Sequence, residues 1–189
     1  MKKVKAFLDL VPLMLLWAML SIFLWSFVFN FLTDTAPENK IVLFIDAPLQ
    51  EESRLAVQLE EAIAEPVEMV QVRAFAYAMM DSTEIERADL YIVSASQAET
   101  YREWFAPLPE ALRSFGEVLE MDGVPYGVKV FDALAAKGIA TDFIAYLFPG
   151  RGPEDYYLFA GSKSLHISGH ENAVDDQAVT CALRLLEIP

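Results

Sequence analysis

The amino-acid sequence predicts an α/β protein in which an N-terminal transmembrane helix precedes one three-layer-like α/β domain with a mixed, partly parallel sheet. Three observations carry this prediction. Residues 10–33 contain no charged side chain. Short apolar runs then alternate with amphipathic segments, and further strand-like runs with turn residues between them follow before one last amphipathic segment. Alternating strands and helices are typical of a parallel sheet, and the additional strands make the sheet mixed.

The uncharged run at 10–33 is long enough to cross a membrane. A helix rises about 1.5 Å per residue, and the hydrocarbon core of a bilayer is about 30 Å thick. Lysines precede the run, whereas Asp34 and Glu38 follow it. Because positive charge stays on the cytoplasmic side, we expect a cytoplasmic N-terminus and an extracytoplasmic remainder.

A cleaved signal peptide is the alternative for this run. Signal peptides have a shorter apolar core that ends in small residues. Phe29, Phe31 and Leu32 are bulky, so the sequence favours an uncleaved signal-anchor. The predicted division is a signal-anchor helix at 1–32, a short polar linker at 33–40 and an extracytoplasmic α/β domain at 41–189. The expected location is the cell membrane, with a single pass.

The charge of the chain is distributed unevenly. Residues 1–32 carry a net charge of +2, and the remainder holds 11 basic and 27 acidic side chains. Phosphate backbones and anionic lipid headgroups would repel such a domain, which excludes nucleic acid as a partner. Cys181 is the only cysteine, so an internal disulfide and a multi-cysteine zinc site are excluded. Its apolar surroundings predict a buried, inert thiol.

The first half of the domain reads as three strand–helix units. Strands are predicted at 41–46, 67–75 and 90–94, and helices at 51–64, 82–87 and 96–104. The third helix would begin with a capping box, with Ser96 as N-cap and Glu99 at the N3 position.

The second half reads as short strands followed by a helix. The strands are predicted at 117–121, 126–131, 142–148, 156–160 and 165–168, and the helix at 173–186. Asn172 would cap that helix. Its predicted apolar stripe consists of Val174, Ala178, Cys181, Ala182 and Leu185.

Ligands of open parallel sheets gather beyond the carboxyl ends of the strands. Asp46 follows the first predicted strand, Ser94 ends the third, and Ser96 opens the next helix. These three side chains are candidate ligand-binding residues, and the amides of that helix would suit an anion. The alternative is that Asp46 is a turn residue and Ser96 only a cap. Tyr126 is a fourth candidate, on a recognition surface, although aromatic residues beside apolar strands more often lie in a core.

His166 and His170 are the only histidines, spaced as in helical zinc sites. Their segment reads as a strand end, where residues four apart are too distant to share one ion. Residues 161–164 resemble a phosphate loop but lack its upstream glycine. No metal ligand, cofactor or catalytic residue is therefore predicted.

Three stretches carry a resemblance to a known family: ADLYIVSASQAETYREWFAPLP, DGVPYGVKVFD and the closing DYYLFAG, SLHISG and AVDDQAVTCALRLL. Together they are similar to the extracytoplasmic solute-binding proteins of the type II periplasmic-binding fold. The resemblance implies a reduced domain of that fold, since such proteins are usually about twice as long.

The leading functional hypothesis is a membrane-anchored, non-catalytic binding or interaction module. Its expected partner is a small solute or another envelope protein. The alternative is an envelope hydrolase, with or without a metal, that uses the region of His166 and His170. A third hypothesis is a small subunit of a membrane complex whose important surface is the span itself.

Overall fold

A computed structural model of the protein describes residues 2–33, 35–74 and 85–189, with side chains in the first range described only at 11–26 and 28. Contacts within the chain divide it into two units, Met1–Ala36 and Pro37–Pro189. The second unit therefore includes the last residues of the predicted linker.

In the described part of the first unit, 2–33 and 35–36, the structure has one helix, α1, which covers Lys2–Thr33 and contains Pro12. Large apolar side chains such as Trp17, Phe23 and Trp25 are exposed on it. Among the residues that the structure describes, no helix has a stretch both long and apolar enough to cross a membrane. The run predicted to span a membrane includes residues 10, 27 and 29–33, whose side chains lie outside the described set.

Within the described residues, the second unit is built on a mixed sheet of eight strands. They are β1 (Lys40–Ile45), β2 (Met69–Ala74), β3 (Leu90–Ser94), β4 (Phe105–Ala106), β5 (Val118–Met121), β6 (Val124–Asp132), β7 (Lys137–Gly138) and β8 (Tyr156–Gly161). The strand order is β2-β1-β3-β8-β6-β5, with β4 beside β8 and β7 beside β6. β1 is parallel to β2 and β3, whereas the pairs β3–β8, β8–β6 and β6–β5 are antiparallel. The prediction of an α/β fold with a mixed, partly parallel sheet is confirmed.

Two hydrophobic clusters cover opposite faces of the sheet, because successive side chains of a strand alternate. In β1, Ile41 and Leu43 belong to the larger cluster and Phe44 to the smaller one. Over 37–74 and 85–189, the described part of this unit, the α-helices are α2 (Glu52–Glu60), α3 (Ala95–Ala98) and α4 (Gln177–Leu186). α2 and α4 pack on the larger cluster, whereas α3 contributes Ala98 to the smaller one.

Six of the eight predicted strands are confirmed, and those at 142–148 and 165–168 are wrong. Residues 142–148 form turns in which Ile144 makes one isolated bridge to Leu49. Their apolar pattern has another cause, since Phe143 and Tyr146 fill the larger cluster from a loop. Segment 165–168 bends around the buried side chains of His166 and Ile167. Phe75, the end of the second predicted strand, lies outside the described residues.

The predicted helices are longer than the observed ones. α2 ends at Glu60, and α4 begins at Gln177 after Asp176, so Asn172 is not its cap. The helix predicted at 96–104 is replaced by α3 and a 3₁₀ turn at Arg102–Trp104. The capping box is also wrong, because Ser94 occupies the N-cap position of α3 and makes no capping hydrogen bond. Of the helix predicted at 82–87, the described part is a 3₁₀ turn at Ile85–Arg87.

Candidate functional site

The chain changes direction between β1 and β3. From β1, the chain passes through α2 to β2 on one side, while β3 lies on the other side of β1. Open α/β sheets bind their ligands beyond the carboxyl ends of the two strands at which such a reversal occurs, here β1 and β3. Asp46 follows β1 at this edge, and Ser94 is the last residue of β3.

Asp46 is held at this edge by its backbone and by its side chain. Its amide donates to the Ile92 carbonyl at 2.8 Å, which ties it to β3. Its Oδ2 accepts a hydrogen bond from Arg151 Nη1 at 2.7 Å and lies 3.4 Å from Ser94 Oγ. The carboxylate thus bridges a cation and a hydroxyl.

The serines connect Asp46 to the segment before β8. Ser94 is completely buried, and its Oγ lies 3.4 Å from that of Ser96. Ser96 is exposed and donates to Glu154 Oε2 at 2.6 Å. The predicted candidates Asp46, Ser94 and Ser96 therefore meet in space, and Ser96 binds a carboxylate instead of capping a helix.

Arg151, Glu154 and Tyr156 complete the group, and the sequence did not place any of them beside Asp46. Arg151 Nη1 contacts the Asp46 carbonyl at 3.3 Å and the Tyr156 hydroxyl at 3.5 Å, and its guanidinium lies over the Phe148 ring. We call these residues the edge cluster; its members are Asp46, Ser94, Ser96, Arg151, Glu154 and Tyr156. The one available signal was the loop at 149–153, in which an arginine stands between two glycines and two prolines.

Electrostatics keep the edge cluster polar and charged. The hydrogen bond to Asp46 raises the pKa of Arg151, so the guanidinium stays charged. Burial raises the pKa of the Tyr156 hydroxyl, although Arg151 opposes that shift, and the phenol remains neutral. With the carboxylates of Asp46 and Glu154, the cluster offers one cation, two anions and three hydroxyls. This set suits hydrogen bonding to a polar ligand.

Residues next to the edge cluster hold it in position through hydrogen bonds and ion pairs. The Ala95 amide donates to the Asp155 carbonyl at 2.9 Å, and the Ala133 amide donates to Asp155 Oδ1 at 2.8 Å. Lys129 lies between the carboxylates of Asp155 and Glu117, at 2.9 Å and 2.5 Å. The end of β6 is thereby tied to the segment that carries Glu154, so a ligand would meet a preorganised surface.

Tyr126 lies away from the edge cluster. It is half-buried beside the smaller hydrophobic cluster, and its ring lies 6.0 Å from the Arg102 guanidinium. Since Tyr156 belongs to the larger cluster on the opposite face, the structure does not bring Tyr126 together with the other three candidates.

The two histidines do not share a site. His166 is completely buried, and its ring contacts Asp175 and the Pro37 carbonyl. His170 Nδ1 lies 3.3 Å from the Ser164 carbonyl. Among the described residues, no group of three or more histidine, cysteine or acidic side chains is arranged to hold a metal ion.

Comparisons of the chain with protein-family models, with curated proteins and with solved structures found no match. The geometry of the edge cluster is therefore the basis of the functional proposal.

Proposed function

We propose that the domain is a non-catalytic binding module that binds a small polar solute at the edge cluster. The observation that carries this proposal is the convergence of Asp46, Ser94 and Ser96 on Arg151 and Glu154, at distances of 2.6 to 3.4 Å. Two of these side chains come from adjacent parallel strands at the point where the chain reverses, which is the usual ligand position of this sheet type.

The chemistry of the edge cluster favours a ligand with hydroxyl or amine groups. Two carboxylates face one guanidinium, so the local charge is negative and repels a large anion. Ser96 and Glu154 are a donor and an acceptor already aligned at 2.6 Å; a ligand hydroxyl can replace either partner, whereas a ligand ammonium group can replace only the donor Ser96. The Phe148 ring under Arg151 adds an apolar surface against which a ring of the ligand would pack.

Membrane attachment is the second part of the proposal. The uncharged run at 10–33, with lysines before it and acids after it, supports a signal-anchor at 1–32 with a cytoplasmic N-terminus. An intact mass measurement on the purified protein tests whether this segment is cleaved. A reporter that is active only outside the cytoplasm, fused after Pro189, tests the orientation.

The resemblance to extracytoplasmic solute-binding proteins supports the same function. The segment ADLYIVSAS, which carries part of that resemblance, contains β3 and Ser94. We propose that the domain is a reduced version of that fold. An envelope protein in place of a solute is the alternative partner, and the experiment below distinguishes the two.

The hydrolase alternative has less support. His166 is buried with both ring nitrogens engaged, which leaves neither available as a general base. Elemental analysis of the purified chain and hydrolysis assays with the His170→Gln variant test this alternative directly.

The main experiment is a thermal-shift screen of the full chain in detergent against amino acids, sugars and short peptides. Ser96→Ala is the site variant, and Ser53→Ala is the matched control, because Ser53 is also an exposed serine and lies on α2. The proposal predicts a solute that raises the melting temperature of the wild type and of Ser53→Ala, but not of Ser96→Ala.

Other outcomes of these experiments distinguish between the remaining functional hypotheses. If a solute raises the melting temperature of Ser96→Ala as much as that of the wild type, the solute binds outside the edge cluster. If no solute stabilises the chain and cross-linking from position 96 captures an envelope protein, the ligand of the edge cluster is that protein and not a small solute. Loss of that partner only when residues 1–32 are replaced by an unrelated anchor would favour the hypothesis that the span is the functional surface.

A further inference from the structure

A buried polar network lies around His166, separate from the edge cluster. His166 is completely buried, and its ring nitrogens have different partners. Nδ1 lies 2.9 Å from Asp175 Oδ1, and Nε2 lies 3.1 Å from the Pro37 carbonyl oxygen. The ring therefore joins the first residue of the second unit to the segment that leads into α4.

The partners of His166 determine its protonation. A carbonyl oxygen can only accept a hydrogen bond, so Nε2 carries a proton. Asp175 Oδ1 accepts from the Gln177 amide at 2.9 Å, and it therefore also acts as an acceptor toward Nδ1. Both ring nitrogens are donors, and a histidine that donates twice is an imidazolium cation.

Two carboxylates, the buried Asp89 and the partly buried Asp175, balance this cation. Asp175 makes the direct contact, and its Oδ2 is buried with no hydrogen-bond partner among the described residues. Asp89 accepts from Ser164 Oγ at 2.5 Å and from the Val42 amide at 2.8 Å, which leaves both of its oxygens as acceptors. The His166 amide in turn donates to Ser164 Oγ at 3.0 Å.

We propose that His166 is a pH-sensitive latch: as an imidazolium it ties the Pro37 carbonyl to Asp175, and loss of its proton releases residues 37–39 from the body of the domain. Neutral imidazole keeps one proton, and because the carboxylate of Asp175 is a stronger acceptor than a carbonyl, that proton stays on Nδ1 and the Pro37 carbonyl loses its hydrogen bond. The carboxylates of Asp175 and Asp89 then lose their buried counterion, which is unfavourable in a low dielectric.

The other titratable groups around the ring do not replace this cation. His170 contacts the Ser164 carbonyl, and Cys181 on α4 is a buried thiol. Lys40 opens β1 and has an interaction of its own, and Glu38 beside Pro37 is exposed. Burial tends to lower the pKa of His166, but the Asp89 charge and the hydrogen bonds to Asp175 and Pro37 outweigh it and raise that pKa above the usual 6.5. The latch is therefore closed in mild acid and opens as the pH rises.

Side-chain ¹⁵N NMR of the full chain in detergent micelles tests the protonation state. The chain has two histidines, so the His170→Gln variant assigns the signals of His166. We expect imidazolium shifts at both His166 nitrogens at about pH 6.5, where a free histidine is half neutral. A neutral imidazole at that pH would overturn the proposal, and this measurement requires no change at His166.

Hydrogen exchange tests the release. After correction for intrinsic rates, the amides of Asn39 and Lys40 should exchange roughly tenfold faster once His166 is neutral. His166→Gln should show fast exchange at every pH between about 6 and 9, while His170→Gln should keep the wild-type dependence. Two results would contradict the latch. One is slow exchange of the Asn39 and Lys40 amides in the wild type at a pH where His166 is already neutral. The other is a His166→Gln variant whose exchange depends on pH as that of the wild type does.

Discussion

Arg151 and Asp46 form an ion pair at 2.7 Å although 105 positions separate them in the chain. The pair joins the end of β1 to the loop before β8. The side chains of Arg151 and Asp46 are only 28% and 14% exposed, so solvent screens their attraction less than at an ordinary surface pair. The guanidinium also lies 3.5 Å from the Tyr156 hydroxyl, and the same Asp46 oxygen lies 3.4 Å from Ser94 Oγ, so the ion pair couples local stability to the proposed binding site.

Asp46→Asn tests that coupling. We expect a loss of about 1–2 kcal/mol in the free energy of unfolding, because the partly buried Arg151 keeps its charge without its counterion. Urea unfolding of the full chain measures the loss. The control is Asp122→Asn, since Asp122 pairs with Arg102 but is 77% exposed, and its loss should stay below about 0.5 kcal/mol. Equal losses would mean that burial does not strengthen the Asp46 pair.

Asp155→Asn should alter the acid stability of the domain. The Ala133 amide, and then Lys129, lower the pKa of Asp155 below its ordinary value of 3.8. A folded-state pKa below the unfolded one gives stability that is present above the unfolded pKa and is lost as the pH falls through the folded one. The variant should therefore be less stable than the wild type by about 1 kcal/mol or less at neutral pH.

The difference in stability should begin to shrink as the pH falls below the unfolded pKa of about 3.8, and the two proteins should converge once the pH has passed the lower folded-state pKa, where the wild-type carboxylate is protonated too. Melting temperatures across this range measure the effect. Asp142→Asn is the control at an exposed aspartate, and it should follow the wild type throughout. If the melting temperatures of Asp155→Asn and the wild type differ by the same amount at every acidic pH, the ionised Asp155 carboxylate is not the source of the stability.

Half of the edge cluster was predictable because it depends on local patterns. The apolar runs that form β1 and β3 end at Asp46 and Ser94, and parallel strands bring their carboxyl ends to one edge. Ser96 follows from its position after β3. None of these inferences required knowledge of which distant segment lies beside them.

The other half depends on a long-range arrangement. β8 is antiparallel to β3, so its first residue, Tyr156, meets Ser94 at the edge where β3 ends. Arg151 and Glu154 precede that residue, and the sequence around them predicts only a turn. The residue type of Tyr126 suggests a recognition surface, but its position depends on an irregularity of β6: Leu119 pairs with Gly127 and Glu120 with Pro125, which skips Tyr126. Tyr126 therefore packs beside the smaller hydrophobic cluster, although Val128 belongs to the larger one.

Gly161→Ala should destabilise the domain strongly. A Cβ at Gly161 would collide with the carbonyl oxygen of Ala88, and a backbone group cannot move aside as a flexible side chain can. We expect a loss of about 2 kcal/mol or more. Gly152→Ala is the control, since its Cβ would meet no atom within 4 Å. Chemical denaturation of both variants tests the prediction, which fails if the two have the same midpoint.

Cys181 should react with thiol reagents only when the domain unfolds. The side chain is completely buried in α4, and burial, together with the Asp89 charge, raises the pKa of its thiol to about 12. Since the thiolate is the reactive form, both the lack of access and the high pKa oppose alkylation of the folded chain at about pH 8.

Mass spectrometry can follow alkylation of the full chain with and without denaturant. The reference is Ser53→Cys in a Cys181→Ala background, which presents an exposed thiol on α2 and should react at once. Wild-type labelling should instead accelerate with denaturant in step with global unfolding, because Cys181 packs in the larger hydrophobic cluster together with β1 and β3. Rapid labelling in native buffer would mean that α4 opens independently of the sheet. Because the Ala178 amide at the start of α4 donates to the His166 carbonyl at 3.0 Å, such opening would also disturb the backbone beside the proposed latch.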